Sequence, residues 1–286
     1  MSGTAASEAI RLERLVPAWR PLDLPVAPQL TDARLQLHHA AQLVAGFGAS
    51  YVAPRADDGH TNMEWLGLSN ALASNPADDA SLRLAIRPRN LTVLALSGDD
   101  ELACFTLETR TVDEAIGWVR RTVAQHGLNG DAFALPAHYT IPAHSVGEGR
   151  PFDGSRRVEF EQLDHWFTNA ALVLGHVAAT TPNASPVRCW PHHFDIATLI
   201  AVDATRTIGV GLEPGDQYYN EPYWYVNMHP APDLDVERPS LDGAGRWHTR
   251  EWIGAVLPAS NIDPASAEAQ SERFVASAMQ AAFRIL

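Results

Sequence analysis

The order of predicted secondary-structure elements most constrains the fold, because the two halves of the 286-residue chain share it. In the first half, apolar residues at helical spacing predict a helix over 31–51. Thr111 and Glu114 form a capping-box pattern, which predicts the start of a second helix that runs to residue 126. Between the two helices, strand-like runs separated by turn-forming residues cover 60–69, 82–87, 91–97 and 102–107.

The second half follows the same order. A helix is predicted over 158–179, and Asp263 followed by Pro264 predicts the start of a last helix, since proline suits a first helical turn. Between these helices, strand-like runs cover 187–202, 207–212, 223–228 and 249–257.

A matching pair of polar residues strengthens the comparison between the halves. His38 and Gln42 share one face of the first helix, and His165 and Asn169 share one face of the third. We therefore predict an α+β protein of two tandem pseudo-repeats, each a helix, an antiparallel-rich sheet of three to four strands and a second helix. The predicted parts, which form one compact body, are a lead-in segment over 1–30, a first repeat over 31–134, a linker over 135–157 and a second repeat over 158–286.

Composition excludes several classes of function. The formal net charge is −13, from 34 acidic and 21 basic residues, so the average field repels a phosphate backbone and no nucleic-acid partner is expected. All 21 basic residues are arginine, which excludes a lysine Schiff base and a lysine-dependent phosphate loop. Gly209 and Gly211 imitate a dinucleotide-binding loop, but Pro214 follows, so no nucleotide cofactor motif is present.

The positions of the two cysteines and the lengths of the apolar runs predict the cellular location of the protein. Cys104 and Cys189 lie far apart in the chain, so neither a zinc knuckle nor a disulfide framework is indicated. No signal-peptide pattern occurs, and no apolar run approaches the roughly 20 residues of a membrane helix. These patterns predict a soluble cytoplasmic protein without a membrane partner.

Three strand-like runs carry polar side chains at two-residue spacing, which puts these side chains on one face of a sheet. The polar faces hold His60 and Glu64 in one run, His193 and Asp195 in another, and Glu221, Tyr223 and Tyr225 in the third. We expect the three runs to converge on a site. The competing explanation is that these polar residues form the solvent-exposed face of an antiparallel sheet and do not form a site.

One hypothesis for this site is a divalent metal, Zn²⁺ or Fe²⁺, held by His193, Asp195 and Glu221. The metal would leave an open position for water and would assist hydrolysis, with Asp195 and Glu221 as the catalytic residues. The structural alternative is that the histidines cap a strand and Asp195 hydrogen-bonds a neighbouring turn.

A second hypothesis is a small-molecule pocket without metal. Tyr223 and Tyr225 would orient the substrate together with His60 and Glu64, while Asp195 and Glu221 would serve in acid–base chemistry. Tyrosines also fill ordinary cores, which is the competing explanation. A third hypothesis is a non-catalytic ligand- or protein-binding module.

Short motifs resemble those of a known family. Leu37-His38 with Gln42, Ser185-Pro186-Val187 before Phe194-Asp195, and the run from Glu221 to Tyr225 resemble the bacterial DUF5996 family of domains of unknown function. The resemblance extends from about residue 20 over nearly the whole chain. It implies a bacterial protein of shared architecture and implies no activity. That family has small residues where this chain has His192 and His193.

Overall fold

The residues that the structure describes form four α-helices and one β-sheet. A computed structural model describes residues 18–77, 81–98 and 100–286, so most of the predicted lead-in segment lies outside the described residues. The helices of the described chain are α1 (Thr31–Tyr51), α2 (Val112–Gln125), α3 (Arg157–Thr180) and α4 (Ala267–Ile285). Of the helices in these ranges, none combines the length and the apolarity needed to cross a bilayer.

Eleven strands of the described chain form one antiparallel sheet. The strands are β1 (Met63–Leu66), β2 (Ala71–Ser74), β3 (Leu82–Arg87), β4 (Thr92–Ser97), β5 (Asp100–Thr106), β6 (Arg188–Cys189), β7 (Ile196–Ala201), β8 (Thr207–Glu213), β9 (Tyr223–His229), β10 (Arg246–His248) and β11 (Gly254–Pro258). Their order across the sheet is β10-β11-β9-β8-β7-β6-β1-β2-β3-β4-β5. Each neighbouring pair is antiparallel.

The two halves of the chain meet at β1 and β6, where the register pairs Met63 with Cys189. Both residues are fully buried. An unpaired strand edge exposes main-chain donors and acceptors, and pairing the first strand of each half removes two such edges. The mixed α and β composition is confirmed, but the sheet is a single one and larger than the three to four strands predicted per repeat. Because one continuous sheet runs through both halves, the tandem-repeat architecture is not confirmed.

Locally encoded elements match the prediction closely. Helix α1 covers the predicted 31–51. The capping box before α2 is confirmed: Thr111 Oγ1 accepts from the Glu114 amide at 3.2 Å, and Glu114 Oε2 accepts from the Thr111 amide at 2.8 Å. Both contacts join residues three apart, so the pattern forms without help from distant parts of the chain.

Three of the predicted strands are wrong in extent, and β2 and β10 lie outside the predicted runs. Of the run 60–69, only Met63–Leu66 is extended. The run 187–202 is interrupted between β6 and β7, where Phe194 adopts a φ of 71°. The run 249–257 begins in a turn, where Glu251 adopts a φ of 62°, and only β11 is extended. A residue with positive φ interrupts the extended backbone of a strand. The resulting turns contain candidate functional residues.

The helices cover one side of the sheet. Helix α1 packs on β2 and β3, α3 packs on β7 and β8, and α4 packs on β8 and β9. Alternate residues of β8 and β9 join this core: Ile208, Val210, Leu212, Trp224 and Val226. The intervening residues of these strands therefore point to the other face.

A polar pair on α3 fastens the chain that precedes α1. His165 Nδ1 lies 2.7 Å from the Pro21 carbonyl oxygen, and Asn169 Nδ2 donates to the Arg20 carbonyl at 2.9 Å. The Asn169 side-chain oxygen accepts from the Arg20 amide at 2.7 Å. This pair therefore has a structural role in holding main chain.

Two helical glycines provide a matched test of this packing. A Cβ on Gly48 of α1 would clash with the His60 carbonyl oxygen and lie 3.1 Å from Thr61 Cα, whereas nothing lies within 4 Å of a Cβ on Gly175 of α3. We expect Gly48→Ala to lower the free energy of unfolding by about 1–3 kcal/mol. Gly175→Ala is expected to raise it by about 0.5–1 kcal/mol because alanine favours the helix. Urea unfolding measures both, and a stabilised Gly48→Ala would contradict the packing of α1 on this segment.

Candidate functional site

Two buried carboxyls lie side by side at one end of the sheet. The register pairs Ile196 of β7 with Leu212 of β8, so Asp195, which directly precedes β7, neighbours Glu213 at the end of β8. Glu213 in turn pairs with Tyr223 of β9. Asp195 and Glu213 are only 8% and 6% exposed. We call Asp195, Glu213, Asp216, Tyr223 and Tyr225 the acidic cluster.

The tyrosines of the acidic cluster donate to its carboxylates. Tyr225 Oη donates to Asp195 Oδ2 at 2.5 Å, and Tyr223 Oη donates to Asp216 Oδ2 at 2.8 Å. Tyr225 reaches Asp195 by crossing β8 over Gly211, where a Cβ would lie 2.5 Å from the phenol oxygen. Glycine at this position therefore allows the contact between β9 and the residue before β7.

Burial dominates the electrostatics of the acidic cluster. Desolvation raises the pKa of Asp195, and the hydrogen bond from Tyr225 opposes this shift. The pKa of Glu213 lies well above its usual range because of desolvation and, next, the charge of Asp195. Asp195 Oδ1 and Glu213 Oε1 are buried with no hydrogen-bond partner among the described residues. Two neighbouring buried carboxyls favour holding a proton between them.

Helix α1 adds a positive charge to the acidic cluster. Arg34 donates to the carbonyl oxygen of Gly215, in the turn that follows β8. Burial lowers the pKa of Arg34, and the nearby charges of Glu213 and Asp216 oppose this shift. The guanidinium therefore partly compensates the negative charge at the end of β8.

The turn that carries Asp195 is fixed to α1 by two side chains. Gln42 Nε2 donates to the Pro191 carbonyl at 2.9 Å, and His38 Nε2 lies 2.8 Å from the same oxygen. A carbonyl only accepts, so His38 carries its proton on Nε2. The His38 ring stacks on Phe194 with centroids 5.0 Å apart. Desolvation lowers the pKa of His38 to about 4, which keeps the ring neutral in this contact.

A cavity of about 460 Å³ adjoins the acidic cluster. Its lining is aromatic and polar: Gln217, Tyr218, Tyr219, Trp247, His248, Thr249, Arg250 and Glu251. Asp216 connects the two, because its Oδ1 accepts from the amides of Tyr218 at 2.7 Å and of Tyr219 at 2.9 Å. We call this space the aromatic cavity.

His248 holds one wall of the aromatic cavity together. Its Nε2 lies 2.5 Å from the Arg250 carbonyl oxygen and therefore donates, which leaves Nδ1 to accept from Tyr219 Oη at 2.8 Å. Trp252 stacks on the His248 ring with centroids 4.4 Å apart. Both ring nitrogens are thus engaged, so His248 acts in support of the wall and is not free to act as a base.

The turn between β10 and β11 contributes one cation, Arg250, and one anion, Glu251, to the lining of the aromatic cavity. Glu251 Oε2 accepts from Tyr218 Oη at 3.0 Å. The φ of 62° at Glu251 is uncommon for a side-chain-bearing residue, and such strain is frequent at ligand sites. The turn closes where the Trp252 amide donates to the Arg250 carbonyl at 2.7 Å.

The structure brings Asp195, Tyr223 and Tyr225 together, as the alternating pattern suggested. The other predicted site residues have partners elsewhere. Glu221 accepts from the Ser260 amide at 2.6 Å and from the Ser260 hydroxyl at 2.7 Å.

The two site residues predicted from the first half, His60 and Glu64, also have partners outside the acidic cluster. His60 Nδ1 accepts from the Arg55 amide at 3.2 Å, and Glu64 forms an ion pair with Arg83 at 2.9 Å. Neither of these contacts involves the acidic cluster.

The predicted metal ligands do not assemble. Within the part of the chain that the structure describes, no three His, Cys, Asp or Glu side chains are grouped so that they could hold a metal ion. His193 stands in the turn before β7 and its ring lies against His192, with centroids 4.4 Å apart. The expected spacing required a continuous strand through 187–197, and the turn at Phe194 removes it.

Sequence reasoning missed Glu213 and Asp216 in the acidic cluster and Arg34 beside it. It also missed Arg250 and Glu251 in the aromatic cavity. Glu213 lies one residue beyond the strand predicted over 207–212, so its alternation with Gly209 and Gly211 was a usable signal. The turn residues gave no comparable signal, because their approach depends on how β9, β10 and β11 pair.

Comparison of the chain with protein-family models, with curated proteins and with solved structures finds no match. The resemblance to the DUF5996 family therefore stays a prediction.

Replacement of Glu213 tests the buried carboxyl pair. An unfolded carboxyl loses its proton near pH 4, whereas the raised pKa of Glu213 keeps the proton on the folded protein to higher pH. Wild-type stability should therefore fall as pH rises from about 4 toward the folded-state pKa. We expect Glu213→Gln to be more stable than wild type at pH 8, by on the order of 1 kcal/mol, with a smaller difference at pH 5.

Urea unfolding at the two pH values measures this difference. Glu272→Gln, on the exposed surface of α4, is the matched control and should leave the pH dependence unchanged. A Glu213→Gln variant whose stability follows that of wild type at both pH values would contradict the pair.

Proposed function

We propose that this protein binds a small polar molecule in the aromatic cavity. The observation that carries the proposal is a space of about 460 Å³ with aromatic walls and two charged side chains. In ligand sites of this size, a small number of polar and charged groups fix the orientation of the ligand. Tyr218, Tyr219 and Trp247 provide the walls, and Arg250 and Glu251 provide the charges.

The contacts favour binding over hydrolysis. Asp195 and Glu213, the buried carboxyls with raised pKa values, do not line the aromatic cavity. His248 does line it, but both of its ring nitrogens are engaged by Tyr219 and Arg250. A general base must reach the proton that it removes, so these groups support a non-catalytic ligand-binding module.

We also propose that the two halves of the chain derive from one ancestral unit. In support of this proposal, each half contains a long helix, then antiparallel strands, then a second helix. The pairs His38–Gln42 and His165–Asn169 each bind main-chain carbonyls at or beside a proline. Equivalent contacts at equivalent positions are expected of a duplication.

A cavity-filling variant tests the proposed binding. Thr249→Trp should fill the aromatic cavity, and Thr180→Trp, which places the same side chain in the groove between α3 and α4, is the matched control. The probes are organic acids, amines, amino acids, nucleosides and monosaccharides in a melting-shift screen. A ligand at ten times its Kd stabilises by about 1.4 kcal/mol, which corresponds to a rise in Tm of a few degrees.

We expect at least one compound to raise the Tm of wild type and of Thr180→Trp but not of Thr249→Trp. Compounds that stabilise all three proteins equally would show binding elsewhere. That result, or a screen in which nothing stabilises wild type, would overturn the proposed function.

A further inference from the structure

Two opposite charges face the same cavity from consecutive residues. Consecutive side chains of an extended strand point to opposite faces, so Arg250 and Glu251 would be separated in a regular hairpin. The positive φ of Glu251 and the hydrogen bond from the Trp252 amide to the Arg250 carbonyl bend the chain here. Both side chains consequently line the aromatic cavity.

Neither charge is neutralised within the described chain. The Arg250 side chain has no hydrogen bond or ion pair with any residue of 18–77, 81–98 or 100–286. Glu251 accepts a hydrogen bond from the neutral Tyr218 hydroxyl and has no cationic partner in the same ranges. Adjacent charges of opposite sign that do not pair with each other remain available to a ligand that carries both complementary charges.

The walls beside Glu251 suit an ammonium group. Tyr218 donates its hydroxyl proton to Glu251, and Tyr219 donates its own to His248, so both phenol oxygens keep lone pairs that can accept. Aromatic faces also attract cations. The Tyr219 ring already makes one contact of this kind, with the Arg246 guanidinium 5.4 Å from its centroid.

Arg250 suits the other end of the same ligand, because a guanidinium binds a carboxylate through two parallel hydrogen bonds. A ligand with one carboxylate and one ammonium has no net charge. It is therefore not repelled on average by a protein of formal charge −13, as a simple anion would be.

We propose that the aromatic cavity binds a free α-amino acid, with its carboxylate on Arg250 and its ammonium at Glu251 and the tyrosine oxygens. The side chain of the amino acid contacts the walls of Tyr218 and Trp247. This inference rests on the proposed function and specifies its ligand.

The test is isothermal titration of the full chain with each standard L-amino acid. The strongest binder is then compared with its methyl ester, which lacks the carboxylate, and its des-amino acid, which lacks the ammonium. The variants are Arg250→Gln and Glu251→Gln. Arg273→Gln and Glu272→Gln are the controls, because they form another exposed consecutive pair of opposite charge on α4.

We expect the strongest amino acid to bind wild type and both controls alike, and each cavity variant at least 10-fold more weakly. The methyl ester should be sensitive only to Glu251→Gln, and the des-amino acid only to Arg250→Gln. Equal affinity for wild type and both cavity variants would overturn the amino-acid assignment.

The outcomes separate the two proposals. If no amino acid binds but another probe stabilises wild type and not Thr249→Trp, the amino-acid assignment fails and the proposed binding function stands. If neither the amino acids nor the wider panel bind, both proposals fail.

Discussion

One buried polar group links the halves of this protein: the main-chain carbonyl of Pro191, which needs hydrogen bonds in the interior. Helix α1 supplies both partners, His38 and Gln42, across 153 and 149 residues of chain. The same helix reaches the carbonyl of Gly215 through Arg34. Two turns of the second half are therefore held by one helix of the first half, and the acidic cluster forms between them.

The acidic cluster shows why this support is needed. Neighbouring carboxyls in a dry environment disfavour folding when both are charged, and the raised pKa values of Asp195 and Glu213 record that cost. Tyr225, crossing Gly211, offsets part of the cost by its hydrogen bond to Asp195. Asp216 links the acidic cluster to the aromatic cavity, because it accepts hydrogen bonds from the main-chain amides of the two tyrosines that line the cavity.

Prediction from sequence succeeded where the information was local. The helix over 31–51 and the capping box of Thr111 depend on residues within one or two turns of each other, so their patterns were readable. Prediction failed where turns interrupt an apolar run. Phe194 and Glu251 have side chains that give no warning of a positive φ, and treating 187–197 as a strand produced a metal site that does not assemble.

By itself, the sequence determined the helices, most of the strands and the alternation that puts Tyr223 and Tyr225 on one face, because these depend on short-range periodicity. Only the tertiary structure decided that the halves share one eleven-stranded sheet through Met63 and Cys189. It also decided which acids meet and where the cavity lies. Such choices depend on strand pairing and on turns fixed by distant partners, and no local pattern in the chain encodes those long-range contacts.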